Sequence, residues 1–205
     1  MWCRSKIEKR PRFRAWFGAL LLSLAGFLLA GCRSFGPLRI SPVQTSTRAM
    51  LRPHFRTNYY YVDRDGTYHF YLQTVPGASA PAAKVTQIAI VTVFWRPIPG
   101  VTPILPSAIN AVFRYVVFTP SGAGLYQGAG LVRLFNGAHA RVMHAAIVNG
   151  DLRLTASSGD FQDALGPARM AGDFSAVHST SRGMALILRA RRRFFLSTYR
   201  FGRLR

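Results

Sequence analysis

The hydrophobic pattern divides the chain into three stretches. An uncharged apolar run fills Ala15 to Leu29, a mixed segment reaches about Arg56, and from Thr57 short apolar runs recur between turn signals. Asn58-Tyr59-Tyr60-Tyr61-Val62 and Thr67-Tyr68-His69-Phe70-Tyr71-Leu72 flank Asp63-Arg64-Asp65-Gly66. Aromatic strand formers on both sides of an Asp-Gly predict a β-hairpin. Lys84 to Trp95 is the longest β-branched run and is apolar on both faces for much of its length, which predicts a central strand. Ala108–Phe118 predicts another strand, with Val112, Arg114, Val116 and Phe118 on one parity. Thr119-Pro120-Ser121-Gly122 turns the chain, and Leu125–Phe135 returns, interrupted by Gly128 and Gly130 as a bulge or a close backbone approach. Asn136-Gly137 and Asn149-Gly150 are hairpin dipeptides, the second joining Arg141–Val148 to Asp151–Thr155.

Ala171–His178, Met184–Ala190 and Arg193–Phe201 read as strands, and Phe161–Leu165 as one short helical turn. Val75–Ala83 and Arg96–Ser107 read as loops; the second holds Pro97, Pro99, Pro103 and Pro106, which deny a ladder its donors. No long helix is expected after the first stretch. The pattern predicts an all-β domain over residues 57–205, a single antiparallel β-sandwich or barrel-like domain of about nine strands. Residues 32–56 read as a tether or linker.

The first stretch has its own logic. Arg4, Lys6, Lys9, Arg10, Arg12 and Arg14 precede the uncharged run, whose 15 residues fall short of a membrane span of roughly 20. A basic flank, a short apolar core and the small residues Ala30 and Gly31 follow the plan of a secretory signal. Cleavage before Cys32 removes Cys3 and leaves Cys32 as the one thiol of an exported chain, unable to form an internal disulfide. Leu29-Ala30-Gly31-Cys32 resembles the lipobox of bacterial lipoprotein precursors. The resemblance implies that residues 1–31 are a signal peptide and that Cys32 carries the lipid. It also implies an amine acylated after cleavage, so that three acyl chains hold the protein to the membrane, more than stable anchoring needs. Arg33 stands where an acidic residue commonly retains such lipoproteins in the inner membrane. The expected location is therefore the outer membrane, facing the periplasm.

Charge changes the picture of partners. The leader holds six of the 27 basic residues and one of the seven acids, so the remaining 174 residues keep a formal charge of +15. Every basic residue there except Lys84 is arginine, and every acid is aspartate. A GC-rich genome accounts for arginine over lysine but not for the missing acids. Net charge bears on association, not on fold. At a membrane surface the nearest anions are anionic lipid, lipopolysaccharide phosphates and acidic polymers; export argues against nucleic acid. The strongest local feature is Arg189 to Arg205, where arginines interleave with aromatics. Arg189, Arg191, Arg192, Arg193, Arg200 and Arg203 are the candidate anion-binding residues, because the guanidinium fork suits phosphate. A solvated basic strand face explains the same run without a ligand.

Catalytic and metal chemistry find little support. His54, His69, His139, His144 and His178 lack the tight local pairing of a zinc site; His139 and His144, five apart, point to opposite faces of a strand. Asp63-x-Asp65-Gly66 resembles the start of a calcium loop but has no closing Glu. Gly122-Ala-Gly124 and Gly128-Ala-Gly130 have no helix to complete a phosphate loop. Asp160 and Asp163 are the least implausible carboxylate pair for hydrolysis. The expectation is a non-enzymatic binding or assembly module without a cofactor or metal. It would hold anionic envelope components or an acidic protein partner. The alternatives are a barrel carrying an apolar ligand in its interior and, last, a cell-wall hydrolase.

Overall fold

The computed structural model describes residues 36–43, 51–74, 85–96, 108–137 and 139–202, with side chains to 194. Residues 1–31, which read as a signal peptide, Cys32, residues 75–84 and 97–107, which fall in segments expected as loops, and Arg203 lie outside the described residues, as does the side chain of Arg200. Eight strands are present among the described residues, not nine: β1 (Arg39–Pro42), β2 (Phe55–Val62), β3 (Tyr68–Thr74), β4 (Thr86–Val93), β5 (Ala111–Phe118), β6 (Gly122–Leu134), β7 (Val142–Gly159) and β8 (Ala168–His178). One helix, α1 (Thr180–Gly202), follows β8. The protein is mostly β, as its alternation predicts. All eight strands belong to one sheet, in the order β1-β8-β2-β3-β4-β5-β6-β7, and β8 also pairs with β7. β8 is antiparallel to β7 and β1, and parallel to β2 through Tyr59↔Val177 and Tyr60↔His178. β1 comes from the segment that read as a tether; Ile40 on it is fully buried and exchanges backbone bonds with Leu51.

The two-residue period sorts side chains onto two faces. The inner face carries the main core, including Tyr60, Phe70, Phe113, Tyr115, Tyr126, Ile147, Met170 and Phe174. Tyr60 and Phe70 stack at 5.6 Å between ring centroids, and Phe174 meets Phe70 edge-on at 5.2 Å. The outer face carries a second cluster of Tyr61, Tyr71, Ile88, Ile90, Val116 and Phe118, closed over by Ile187 and Ala190 of α1. β4, buried along nearly its whole length, is the central strand its sequence predicts, with β3 and β5 on either side.

The β2–β3 hairpin forms as read, in the register Val62↔Tyr68. Gly66 supplies a positive φ of 78° in the turn, where a β-carbon would be strained. Asp63 Oδ1 accepts from the amides of Asp65 (3.1 Å) and Thr67 (2.9 Å), and Oδ2 lies 2.9 Å from His69 Nε2. The His69 hydrogen bond, helped by those two amides and opposed by desolvation, holds the Asp63 carboxyl below its ordinary pKa. A depressed folded value means that the stabilisation is present above the unfolded pKa of about 3.9 and is lost as pH falls through the folded one. The stability difference between the native chain and Asp63→Asn should therefore hold steady above that range and shrink below it. Urea titrations between neutral and strongly acidic pH test this; a difference that grows on acidification contradicts it.

Three local expectations are corrected. Met184–Ala190 and Arg193–Phe201 are not strands but parts of α1. Gly183, Ile187, Ala190 and Phe194 recur at helical spacing and face the sheet. Ser179 opens the helix, its carbonyl accepting from the Gly183 amide at 2.9 Å. Asn149-Gly150 is not a turn. It lies inside the continuous 18-residue β7, where the register slips against β8 between Ile147 and Gly150. A turn there would break the ladders to β6 and β8 together. Glycine is needed for closeness: a β-carbon on Gly130 would lie 1.8 Å from the Asn149 carbonyl oxygen, and one on Gly150 2.8 Å from the Phe113 ring. The close approach expected at Gly128 and Gly130 is thus present. Finally, Phe161–Leu165 is not helical. Asp163 Oδ1 accepts from the amides of Leu165 (3.1 Å) and Gly166 (2.9 Å), a local bonding pattern that competes with a helical turn.

Candidate functional site

Helix α1 holds six arginines and no acid. Its apolar seam is turned to the sheet, so Arg182, Arg189, Arg191, Arg192 and Arg193 project from the remaining surface and are exposed. The seam fits closely at its start: a β-carbon on Gly183 would come within 3.0 Å of the Tyr61 ring. Arg182 donates to the Tyr59 hydroxyl at 3.1 Å and lies 5.7 Å from that ring's centroid. Arg193 sits over the Phe118 ring at 4.2 Å. Such contacts set arginine stems on the sheet while leaving their charge at the surface. Of the candidate anion-binding residues, α1 therefore brings Arg189, Arg191, Arg192 and Arg193 together.

The covered tyrosines report the same environment. Burial pushes the Tyr71 hydroxyl up to about 12, against the pull of Arg189 and Arg193. Burial also raises Tyr61, with Asp63 acting in the same direction and Arg191 against it. Helix cover was not legible in the aromatic hairpin itself, because alternation sorts side chains onto two faces without saying what covers either.

A groove of about 440 Å³ runs between the second half of α1 and the outer face of β4, β5 and β6. Cross-strand register builds its floor. Ile90, Arg114 and Gln127 lie side by side in one row, and Val116 and Leu125 in the next. Ala190, Arg191 and Phe194 form the helix side. Arg114 is half-buried in this row. All six aspartates of the chain are among the described residues, and none forms an ion pair with Arg114 or Arg191. The inner face is occupied by aromatic side chains, and Tyr60, Phe70, Phe113, Tyr115 and Tyr126 are all fully buried there.

The other candidates stay apart or are engaged structurally. His69 is bonded to Asp63 and stacked on Tyr61 at 4.8 Å, and His178 meets Tyr60 edge-on at 5.1 Å. His54, His139 and His144 are exposed. Among the described residues no three His, Cys, Asp or Glu side chains converge on one point. Asp163 accepts from the Tyr126 hydroxyl at 2.6 Å, which ties its loop to the core; burial first, and then this bond, raise the Tyr126 pKa. Asp160 donates its backbone amide to Ser121 O at 3.0 Å. Asp151 faces Arg169 at 3.6 Å across β7 and β8, both side chains exposed. No described helix is long and apolar enough to cross a membrane.

Sequence reasoning missed the groove and Arg114's part in it. Only the pairing of β5 with β4 and β6 shows that this charge stands between Ile90 and Gln127, one row from Val116 and Leu125. No protein-family model, no curated protein and no solved structure matches the chain.

Proposed function

We propose that the protein is a lipid-anchored envelope lipoprotein, non-enzymatic, that binds anionic components of the membrane on which it sits. Cys32 would be the anchor, the outer membrane its place, and α1 the recognition element. One observation carries the reading: an acid-free helix displays Arg189, Arg192 and Arg193 to solvent while its apolar seam is already used against the sheet. The seam packed on the sheet is not available to a bilayer, while Met184 and Leu188 of the same helix are exposed. The arginines contribute electrostatically, about 1 kcal/mol for each one near an anionic surface. The scaffold we infer is a barrel, on the strength of β8 pairing with β7 along one edge and with β2 on the other. Such closure leaves α1 on a firm base.

The test uses residues 32–205 with Cys32→Ser, so that neither acyl chains nor the apolar run Ala15–Leu29 dominates binding. It should sediment with phosphatidylglycerol vesicles and not with phosphatidylcholine vesicles, and its affinity should fall with salt. Replacing Arg189, Arg192 and Arg193 together by Gln should weaken binding about a hundredfold, three arginines at about 1 kcal/mol each. Equal binding to both vesicle types, or an unchanged triple variant, overturns the proposal.

A further inference from the structure

We infer that the groove under α1 is a binding site for a single-chain anionic amphiphile, with its acyl chain on Val116, Leu125 and Phe194 and its head group held by Arg114 and Arg191. The volume, about 440 Å³, falls within the range of small-molecule sites, roughly 300–1,000 Å³. An apolar floor with a few polar groups is the usual composition of such sites. The two guanidinium groups select the sign of the ligand. A half-buried cation without a counter-charge is costly. Arg114 is such a cation, and among the described residues no acid relieves it. Asp63 is bonded to His69, Asp151 faces Arg169, Asp163 serves Tyr126, and neither these nor the other three aspartates pair with Arg114 or Arg191. A carboxylate or phosphate from outside supplies the missing charge and takes the guanidinium fork through charge-assisted hydrogen bonds. A cationic or zwitterionic head does not relieve the two arginines, and a head group without an acyl chain leaves the apolar floor open.

This site differs from the outward arginines of α1, and the two are separable by experiment. The full-length chain in its membrane is treated with a photoreactive hexadecanoate, its lyso-phosphatidic acid counterpart and its hexadecanol counterpart, and cross-links are mapped by mass spectrometry. Labelling of Leu125 or Phe194 by either acidic probe, and not by the alcohol, is the expected result. The preferred probe identifies the source as free fatty acid or as lipid phosphate. Arg114→Gln with Arg191→Gln should lower groove labelling at least about tenfold, as the loss of hydrogen bonds to a charged group does. Leu125→Trp should abolish it by filling the floor, whereas the Arg189, Arg192 and Arg193 triple variant should label normally. Equal labelling by the alcohol overturns the inference, as does labelling indifferent to the Arg114 and Arg191 substitutions. Loss of vesicle binding in the triple variant with labelling intact separates this inference from the proposal for α1.

Discussion

Ile187→Asn should free α1 from the sheet while leaving the strands folded. Ile187 is 5% exposed and sits in the cluster of Tyr61, Tyr71, Ile88, Ile90, Val116 and Phe118. The substitution removes burial worth about 1.5–3 kcal/mol and places an amide without a designed partner among apolar side chains, which adds about 1–3 kcal/mol. The main core lies on the opposite face and loses nothing directly, so the damage should stay local. Trypsin reads the outcome, because the six arginines of α1 are its cleavage sites on this helix. Cleavage there requires local opening and should accelerate about a hundredfold for a loss of about 3 kcal/mol. Far-UV helicity should fall and the strand signal persist. Unchanged cleavage and helicity would show that the seam does not hold the helix. The same variant should lose the groove, since Ala190, Arg191 and Phe194 form one side of it.

Asn110→Leu should cost the fold about 3–5 kcal/mol and lower Tm by roughly 10 °C, at about 2–4 °C per kcal/mol for a chain of this size. Asn110 is fully buried at the entry to β5. Its Nδ2 donates to the carbonyls of Val132 (2.8 Å) and Trp95 (3.1 Å), and its Oδ1 accepts from the Val132 amide at 2.8 Å. Its backbone accepts from Phe94 and donates to Gly130. The side chain thus links the ends of β4 and β6 across β5. Leucine has similar bulk but leaves the Val132 amide without its acceptor, and a buried unpaired amide carries the full desolvation penalty. Calorimetry of the two chains checks this. A Tm within a few degrees of the native one would mean that these groups find other partners.

Legibility differed from element to element for physical reasons. The Asp63–Gly66 hairpin could be read because every determinant is local: strand formers on both sides, a side chain that bonds its own turn, and a glycine at the strained position. β4 could be read because burial on both faces requires an unbroken apolar run. Asn149-Gly150 has the composition of a turn, yet the pairing of β7 with β6 and β8 on either side holds it extended. Two ladders outweigh one dipeptide preference. In α1 the short apolar runs Met184–Ala190 and Phe194–Leu196 suit strand and helix alike. The helical seam emerges only when Gly183, Ile187, Ala190 and Phe194 are taken together, with Ser179 at the start.

Alternation, turn chemistry and charge are properties of neighbouring residues, and from them the sequence by itself determined the all-β class, the first hairpin, the central strand and the excess of arginine. The reading of residues 1–31 as a leader and of Cys32 as its lipid site rests on local signals too. Tertiary structure alone decided which tyrosines are covered, which arginines share a surface, and where a cation is left without its counter-charge. Those outcomes depend on strands brought side by side from distant parts of the chain. Arg114 is an ordinary strand arginine until Ile90 and Gln127 flank it and α1 roofs the row. The energy of a charge is set by what surrounds it in space, and no spacing along the chain records that.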